Sequence, residues 1–112
     1  MHALSLVLVL AATAGSKGGG PIAWRELAAG APARFASSAV LDPARGKVIV
    51  FAGETSKPAE GGGPPAFDFL HDLWEHDVAS AAWQKVEPDG EAPGDRAYHA
   101  AAFDAKRATM WV

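Results

Sequence analysis

The sequence predicts an all-β protein, and three observations support that prediction. Short apolar segments rich in Val, Ile and Trp are separated by Gly, Pro and Asp, which is typical of strands joined by turns. Helical spacing of the apolar residues is missing. One stretch also occurs twice, as Trp24–Val50 and Trp83–Val112, with Arg34 and Arg96 at matching positions (96 − 34 = 62). Repeats spaced by tens of residues indicate solenoids, propellers or arrays.

Length and composition limit what the chain can be. Its 112 residues suffice for at most one ordinary domain. Apolar residues make up 49% of the chain, so it is not disordered by composition. The net charge is −3 and the basic residues are scattered, so no nucleic-acid partner is predicted. The absence of cysteine excludes disulfides, thiolate nucleophiles and Cys-ligated metals within this chain.

The first 14 residues are predicted to be a signal peptide, which implies a secreted or periplasmic protein. The core of this segment, Ala3–Ala12, carries no charge, and Ala12 and Ala14 match a small-residue cleavage site. The expected Lys or Arg before the apolar core is missing, and a buried strand over Leu4–Leu10 is the alternative. The segment is too short for a transmembrane helix. Residues 15–23 follow as a glycine-rich linker.

Residues 24–112 are predicted to contain the folded part of the chain. Ahead of Arg96, which is the counterpart of Arg34 in the second copy, the sequence predicts five strands. They are Trp24–Leu27, Phe35–Leu41, Lys47–Phe51, Asp72–Asp77 and Trp83–Val86. Asp42–Gly46 reads as a hairpin turn, because Asp, Pro and Gly suit its successive positions.

The segment Glu54–Ala66 is rich in Gly and Pro and is predicted to be a surface loop or insertion. Surface loops often carry binding specificity. The candidate binding residues are therefore those at its start: Glu54, Thr55, Ser56 and Lys57. A disordered spacer is the alternative interpretation.

This order of motifs resembles the kelch repeat, a blade of the β-propellers of the galactose oxidase-like central-domain superfamily. Arg34 matches the residue that opens a blade, and the next blade would open with Arg96 and His99. The matching strands are Lys47–Gly53, Asp72–Asp77 with its Leu-Trp pair, and a fourth that begins at Trp83. Three positions depart from the pattern: Ala52 replaces a glycine, His76 an aromatic residue, and Ser37 the counterpart of His99. The repeat also exceeds the usual length of about 50 residues.

The resemblance implies one complete four-stranded blade at 34–88, partial neighbouring blades, and therefore an incomplete propeller. Blades stack to cover their faces, so the partners expected here are the remaining blades, or other copies that associate at open sheet edges. Since the second copy stops within a strand at Val112, a truncated propeller is expected.

No catalytic, cofactor-binding or metal-binding residue is predicted, and no cofactor. His71 and His76 are five positions apart and would point to opposite faces of one strand, which does not make a common ligand set with His99. Arg34 and Arg96 recur in the repeat and are interpreted as architectural pairs. The predicted function is a binding or scaffold module that contacts a protein or carbohydrate through its loops. The alternative is the N-terminal fragment of a propeller enzyme, an oxidoreductase or a carbohydrate-active protein, with catalytic residues beyond Val112.

Overall fold

Antiparallel strands form nearly all of the regular structure. The computed structural model describes residues 8–9, 25–26 and 30–112. Within these residues there is no α-helix, and a single 3-10 turn occurs at Glu60–Gly62. No helix in this part of the chain is long and apolar enough to cross a membrane. The all-β class predicted from the sequence is confirmed.

Two very short strands precede the main sheet. Strand β1 (Leu8–Val9) pairs antiparallel with β2 (Arg25–Glu26). β2 falls within the strand predicted at Trp24–Leu27. The rest of the predicted signal peptide and the linker at 15–23 lie outside the described residues, so both stay predictions.

The main sheet has four antiparallel strands in chain order. They are β3 (Ser38–Asp42), β4 (Lys47–Lys57), β5 (Ala66–Asp77) and β6 (Trp83–Val86). β4 begins with a β-branched, apolar run that suits a central strand covered on both faces. The predicted four-stranded unit is confirmed as an antiparallel sheet.

A separate two-stranded sheet, β7 (Ala102–Asp104) and β8 (Thr109–Trp111), repeats the geometry of β3 and β4. Asp42 accepts hydrogen bonds from two backbone N–H groups of its turn, and Asp104 does the same in the second turn. Each aspartate also accepts a 2.6 Å bond from an arginine three residues later, Arg45 or Arg107. An aspartate that bonds the backbone ahead of it is a strong turn former.

Backbone conformation repeats as well. Gly46 and Ala108 occupy matching positions with φ of +62° and +49°. Ala36 and Tyr98, also matched, have φ of +54° and +55°. Non-glycine residues seldom adopt positive φ, so coincidence at two matched positions marks a shared local structure. The duplicated sequence therefore folds the same way twice.

The predicted loop at Glu54–Ala66 is wrong at its start and at its last residue, Ala66, which belongs to β5. β4 continues to Lys57 and pairs there with Ala66, so only residues 58–65 connect the two strands. The backbone groups of polar residues can form a ladder as readily as those of apolar ones, and polarity alone does not end a strand. Phe35 is also outside the strand predicted for it and contacts β4 through an isolated bridge to Glu54.

A bulge interrupts the ladder between β4 and β5. Phe51 pairs with Leu73, whereas Gly53 pairs with Leu70, so β5 carries one extra residue. At this point Ala52 has φ of +55° and Gly53 has φ of +103°. Such bulges bend a strand and increase its twist.

The second copy of the repeat is attached at this bulge. The Gly53 N–H donates to the Arg96 carbonyl at 2.9 Å, and the Arg96 N–H donates to the Leu70 carbonyl at 3.3 Å. A Cβ atom at Gly53 would lie 2.6 Å from the carbonyl oxygen of Phe35, so only glycine fits there. One residue of the second copy is thus bonded to both strands of the bulge.

Candidate functional site

The four predicted binding residues lie on β4, on opposite faces of the β4–β5 hairpin. Residues directly opposite one another in an antiparallel pair share a face. Thr55 pairs with Asp68 and Lys57 with Ala66, and the Lys57 ammonium forms an ion pair with the Asp68 carboxylate on that face. The structure therefore does not bring all four residues together.

Glu54 and Ser56 lie on the other face, which is aromatic. Glu54 is paired with Phe69 on one side and bridged to Phe35 on the other, while Ser56 pairs with Phe67. The Phe35 bridge consists of two backbone hydrogen bonds with Glu54, of 3.0 and 2.9 Å. Three aromatic rings thus flank one carboxylate, and we call these four side chains, Phe35, Phe67, Phe69 and Glu54, the aromatic face.

In the aromatic face the three rings are partly exposed, whereas Glu54 is buried. The rings of Phe35 and Phe67 meet edge to face, with centroids 5.9 Å apart and planes at 85°. Phe35 is 39% exposed, Phe67 53% and Phe69 54%, whereas Glu54 is only 8% exposed. The Glu54 carboxylate has no hydrogen bond or ion pair with any side chain that the structure describes.

A partly buried ion pair lies next to the bulge. Arg34 donates two hydrogen bonds to the Asp72 carboxylate, at 2.6 and 2.8 Å, and one to the Ala52 carbonyl at 3.1 Å. The Trp74 indole N–H donates to the same carboxylate at 2.7 Å. The Arg34 guanidinium is the main reason that the pKa of Asp72 falls to about 2, with the Trp74 bond adding to it. Arg34 therefore has a structural role in the main sheet, which agrees with the interpretation of its recurrence in the repeat.

Comparison with known proteins assigns this chain to no family. Neither family models, nor curated proteins, nor solved structures match the chain. The kelch resemblance therefore stays a prediction from the residues quoted above.

The described histidines, His71, His76 and His99, do not share one site. His71 is exposed and pairs with Asp95 at 2.9 Å, while His99 shares a 2.7 Å hydrogen bond with Ser38. His76 is buried against Trp83, with ring centroids 4.7 Å apart, and burial is the main cause that lowers its pKa. Among the described residues, no group of three side chains is placed to hold a metal ion.

A cavity of about 500 Å³ lies between the main sheet and the β7–β8 hairpin. Arg45 and Glu75, ion-paired at 2.6 Å, form part of its polar lining. Its apolar lining comes from both sheets, the connector between them and the end of β8, and comprises Ile49, Phe51, Leu73, Val86, Pro88, Ala92, Pro93, Phe103, Ala108, Met110 and Val112. Apolar faces of two neighbouring repeats therefore meet here without filling the space between them.

Sequence reasoning missed Phe67 and Phe69. The alternation Ala66-Phe67-Asp68-Phe69 has the period of a half-exposed strand and was the available signal. The Gly/Pro-rich tract before it concealed this pattern.

Proposed function

We propose that residues 24–112 form kelch-type propeller blades of an exported protein, and that they act as a binding module. The partner would be a protein or a carbohydrate, held by the end of the β4–β5 hairpin. This proposal is carried by one observation: the hairpin extends past its neighbours and presents two half-exposed phenylalanine rings, Phe67 and Phe69, beside the partly exposed ring of Phe35.

The extension is visible in the strand lengths. β4 and β5 have 11 and 12 residues, whereas β3 and β6 have 5 and 4. Thr55 to Lys57 pair only with β5 among the described residues, so both sides of this ladder are free for contact. Contiguous exposed apolar side chains on a soluble protein often mark an interaction surface.

The propeller part of the proposal is supported by the repeated geometry. Turn bonds and positive-φ positions recur with the sequence, which is what successive blades require. The partly filled cavity and the exposed side chain of Trp111, at 61%, favour further packing by other blades or by another copy of the chain.

The binding proposal is tested by removing the two rings of the hairpin. Phe67 and Phe69 would both be replaced by Ser, which keeps the length of β5 and leaves the buried side chains of the sheet in place because both rings are half exposed. The purified chain and this variant would be applied to a glycan array and to a peptide array. We expect the parent chain to bind members of one array and the variant to lose most of that signal.

Lys106→Ala provides the control, because Lys106 lies in the exposed turn of the other hairpin. It should leave binding unchanged. Far-UV circular dichroism should give the same strand signal for all three proteins. Equal binding by the parent and the variant without the two rings, or no binding by the parent to either array, would overturn the proposal.

A further inference from the structure

We propose that the free edge of β8 binds an extended segment of a partner protein that carries an acidic residue, and adds it as a third strand to the β7–β8 hairpin. This inference goes beyond the proposed binding by the β4–β5 hairpin, because a different part of the molecule makes the contact. It is based on the first repeat, in which the matching edge is occupied and the matching arginine is paired with an acid of the neighbouring strand.

The edge of β8 is the first observation. β4 is paired on both sides, with β3 and with β5. β8 is the counterpart of β4 and pairs with β7 in the same register, since Trp111 lies opposite Ala102 as Ile49 lies opposite Val40. Among the described residues, β8 has no neighbour on its other side. The unpaired N–H and C=O groups of such an edge can hold an added strand.

The second hairpin is also uncovered where the first is covered. Ile49 is 6% exposed, whereas its counterpart Trp111 is 61% exposed. The side chain of the turn residue Asp42 is 3% exposed, and that of its counterpart Asp104 is 24% exposed. Both differences have the direction expected when the neighbouring strand is missing.

The charge of the added strand follows from the two matched arginines. Arg45 donates a 2.6 Å hydrogen bond to Asp42 and forms a 2.6 Å ion pair with Glu75 of β5. Arg107 donates the same 2.6 Å bond to Asp104, but it has no second acidic partner among the described residues. An acidic side chain on the added strand would give Arg107 the partner that Glu75 gives Arg45.

The register of the first repeat places that acid. Glu75 lies opposite Ile49, so the acid of the added strand would lie opposite Trp111. The residues on either side of Glu75 are opposite apolar residues of β4, and their counterparts would be opposite Met110 and Val112. Since Glu75 is flanked by Trp and His, the recognised pattern is an acid between two large side chains in an antiparallel strand.

The probe is a fluorescein-labelled peptide with the sequence of residues 70–79 and an amidated C-terminus. Asp72→Asn and Asp77→Asn leave Glu75 as its single acid. A second peptide also carries Glu75→Gln. Binding to the full chain is measured by fluorescence anisotropy. We expect the acidic peptide to bind about 3–5-fold more tightly than the neutral one, which is the upper range for an exposed ion pair.

Two variants of the chain assign this difference to its residue. Arg107→Gln should weaken the acidic peptide about 3–5-fold and leave the neutral peptide unchanged, because the ion pair is then absent from both complexes. Lys106→Gln removes the same charge from the neighbouring position of the same turn and should change neither affinity. Far-UV circular dichroism should give the same strand signal for both variants and the parent.

N-methylated peptides test the backbone part of the contact. Adjacent N–H groups of an extended strand point to opposite edges. Methylation of the peptide nitrogen of Trp74 or of Glu75 should therefore abolish binding in one case and leave it intact in the other. Such a difference supports an added strand, whereas equal effects of the two methyl groups would refute it.

The remaining outcomes decide the site. No binding of the acidic peptide, equal affinity for both peptides, or equal losses in Arg107→Gln and Lys106→Gln would overturn the inference. Acid-dependent binding that Arg107→Gln alone removes would support it. The variant with serine at positions 67 and 69 should bind the acidic peptide like the parent, so failure of the hairpin proposal and failure of this one are distinguishable.

Discussion

The ion pair of Arg34 and Asp72 should be the polar interaction on which the main sheet depends most. We expect Asp72→Asn to destabilise the chain by about 2–4 kcal/mol. The pKa of Asp72 falls from 3.8 to about 2, which at 1.36 kcal/mol per unit corresponds to about 2 kcal/mol. The substitution also leaves the Arg34 guanidinium, whose side chain is 6% exposed, without its charge partner, and breaking a buried pair costs about 3–5 kcal/mol.

The matched control lies on the same strand. Asp68→Asn makes the same chemical change in an ion pair with Lys57 whose side chains are 46% and 63% exposed. Exposed pairs contribute about 0–1 kcal/mol, so this variant should melt within a few degrees of the parent. Asp72→Asn should melt at least about 8 °C lower, at about 4–8 °C per kcal/mol for a domain of this size.

The pH dependence gives an independent measurement. Because the folded-state pKa of Asp72 is depressed, its contribution is present above the unfolded pKa of 3.8 and is lost as pH falls toward about 2. Urea unfolding between pH 5 and pH 2 should show this loss in the parent and in Asp68→Asn, and a smaller one in Asp72→Asn. If both variants had equal stability at pH 7, the Asp72 pair would not have the role assigned to it.

Two further predictions concern the repeat and the buried histidine. Gly46→Ala should lower the free energy of unfolding by about 1 kcal/mol. The new Cβ meets nothing within 4 Å, so the whole effect is backbone strain at φ +62°. Ala108→Gly, at the matching position with φ +49°, should raise the free energy of unfolding by a similar amount. Urea titrations of both variants check this, and changes of the same sign would contradict a shared turn conformation. His76→Phe should raise stability by about 1 kcal/mol at pH 7, because both ring nitrogens are buried without partners among the described residues. Burial lowers the pKa of His76, so the parent should lose stability as pH falls below about 6.5 while His76→Phe should not, and identical pH profiles would rule this out.

The sequence was most informative where structure depends on local chemistry. The strand at Lys47–Phe51 and the turn at Asp42–Gly46 were both predictable, because β-branched side chains favour an extended backbone and an Asp-Pro start with a Gly end favours a turn. Trp83–Val86 followed from simple alternation and is confirmed as β6.

The aromatic face could not be predicted in the same way. Its members come from three separate segments, and their alignment depends on the register of β4 against β5. That register changes at the bulge beside Ala52, where a single extra residue decides which side chains share a face. Nothing in the local sequence around Phe35 or Phe69 specifies this alignment.

The attachment of the second repeat at the bulge has a consequence for how such a chain can change over time. Arg96 is held to Gly53 and Leu70 through main-chain atoms, which every residue type except proline offers. The connector at residues 87–95 therefore does not have to encode the position of the second repeat. Insertions, deletions and changes of composition in that connector can accumulate without moving one repeat relative to the other, provided that Gly53 and the bonds of Tyr98 to Ala36 and of His99 to Ser38 are kept.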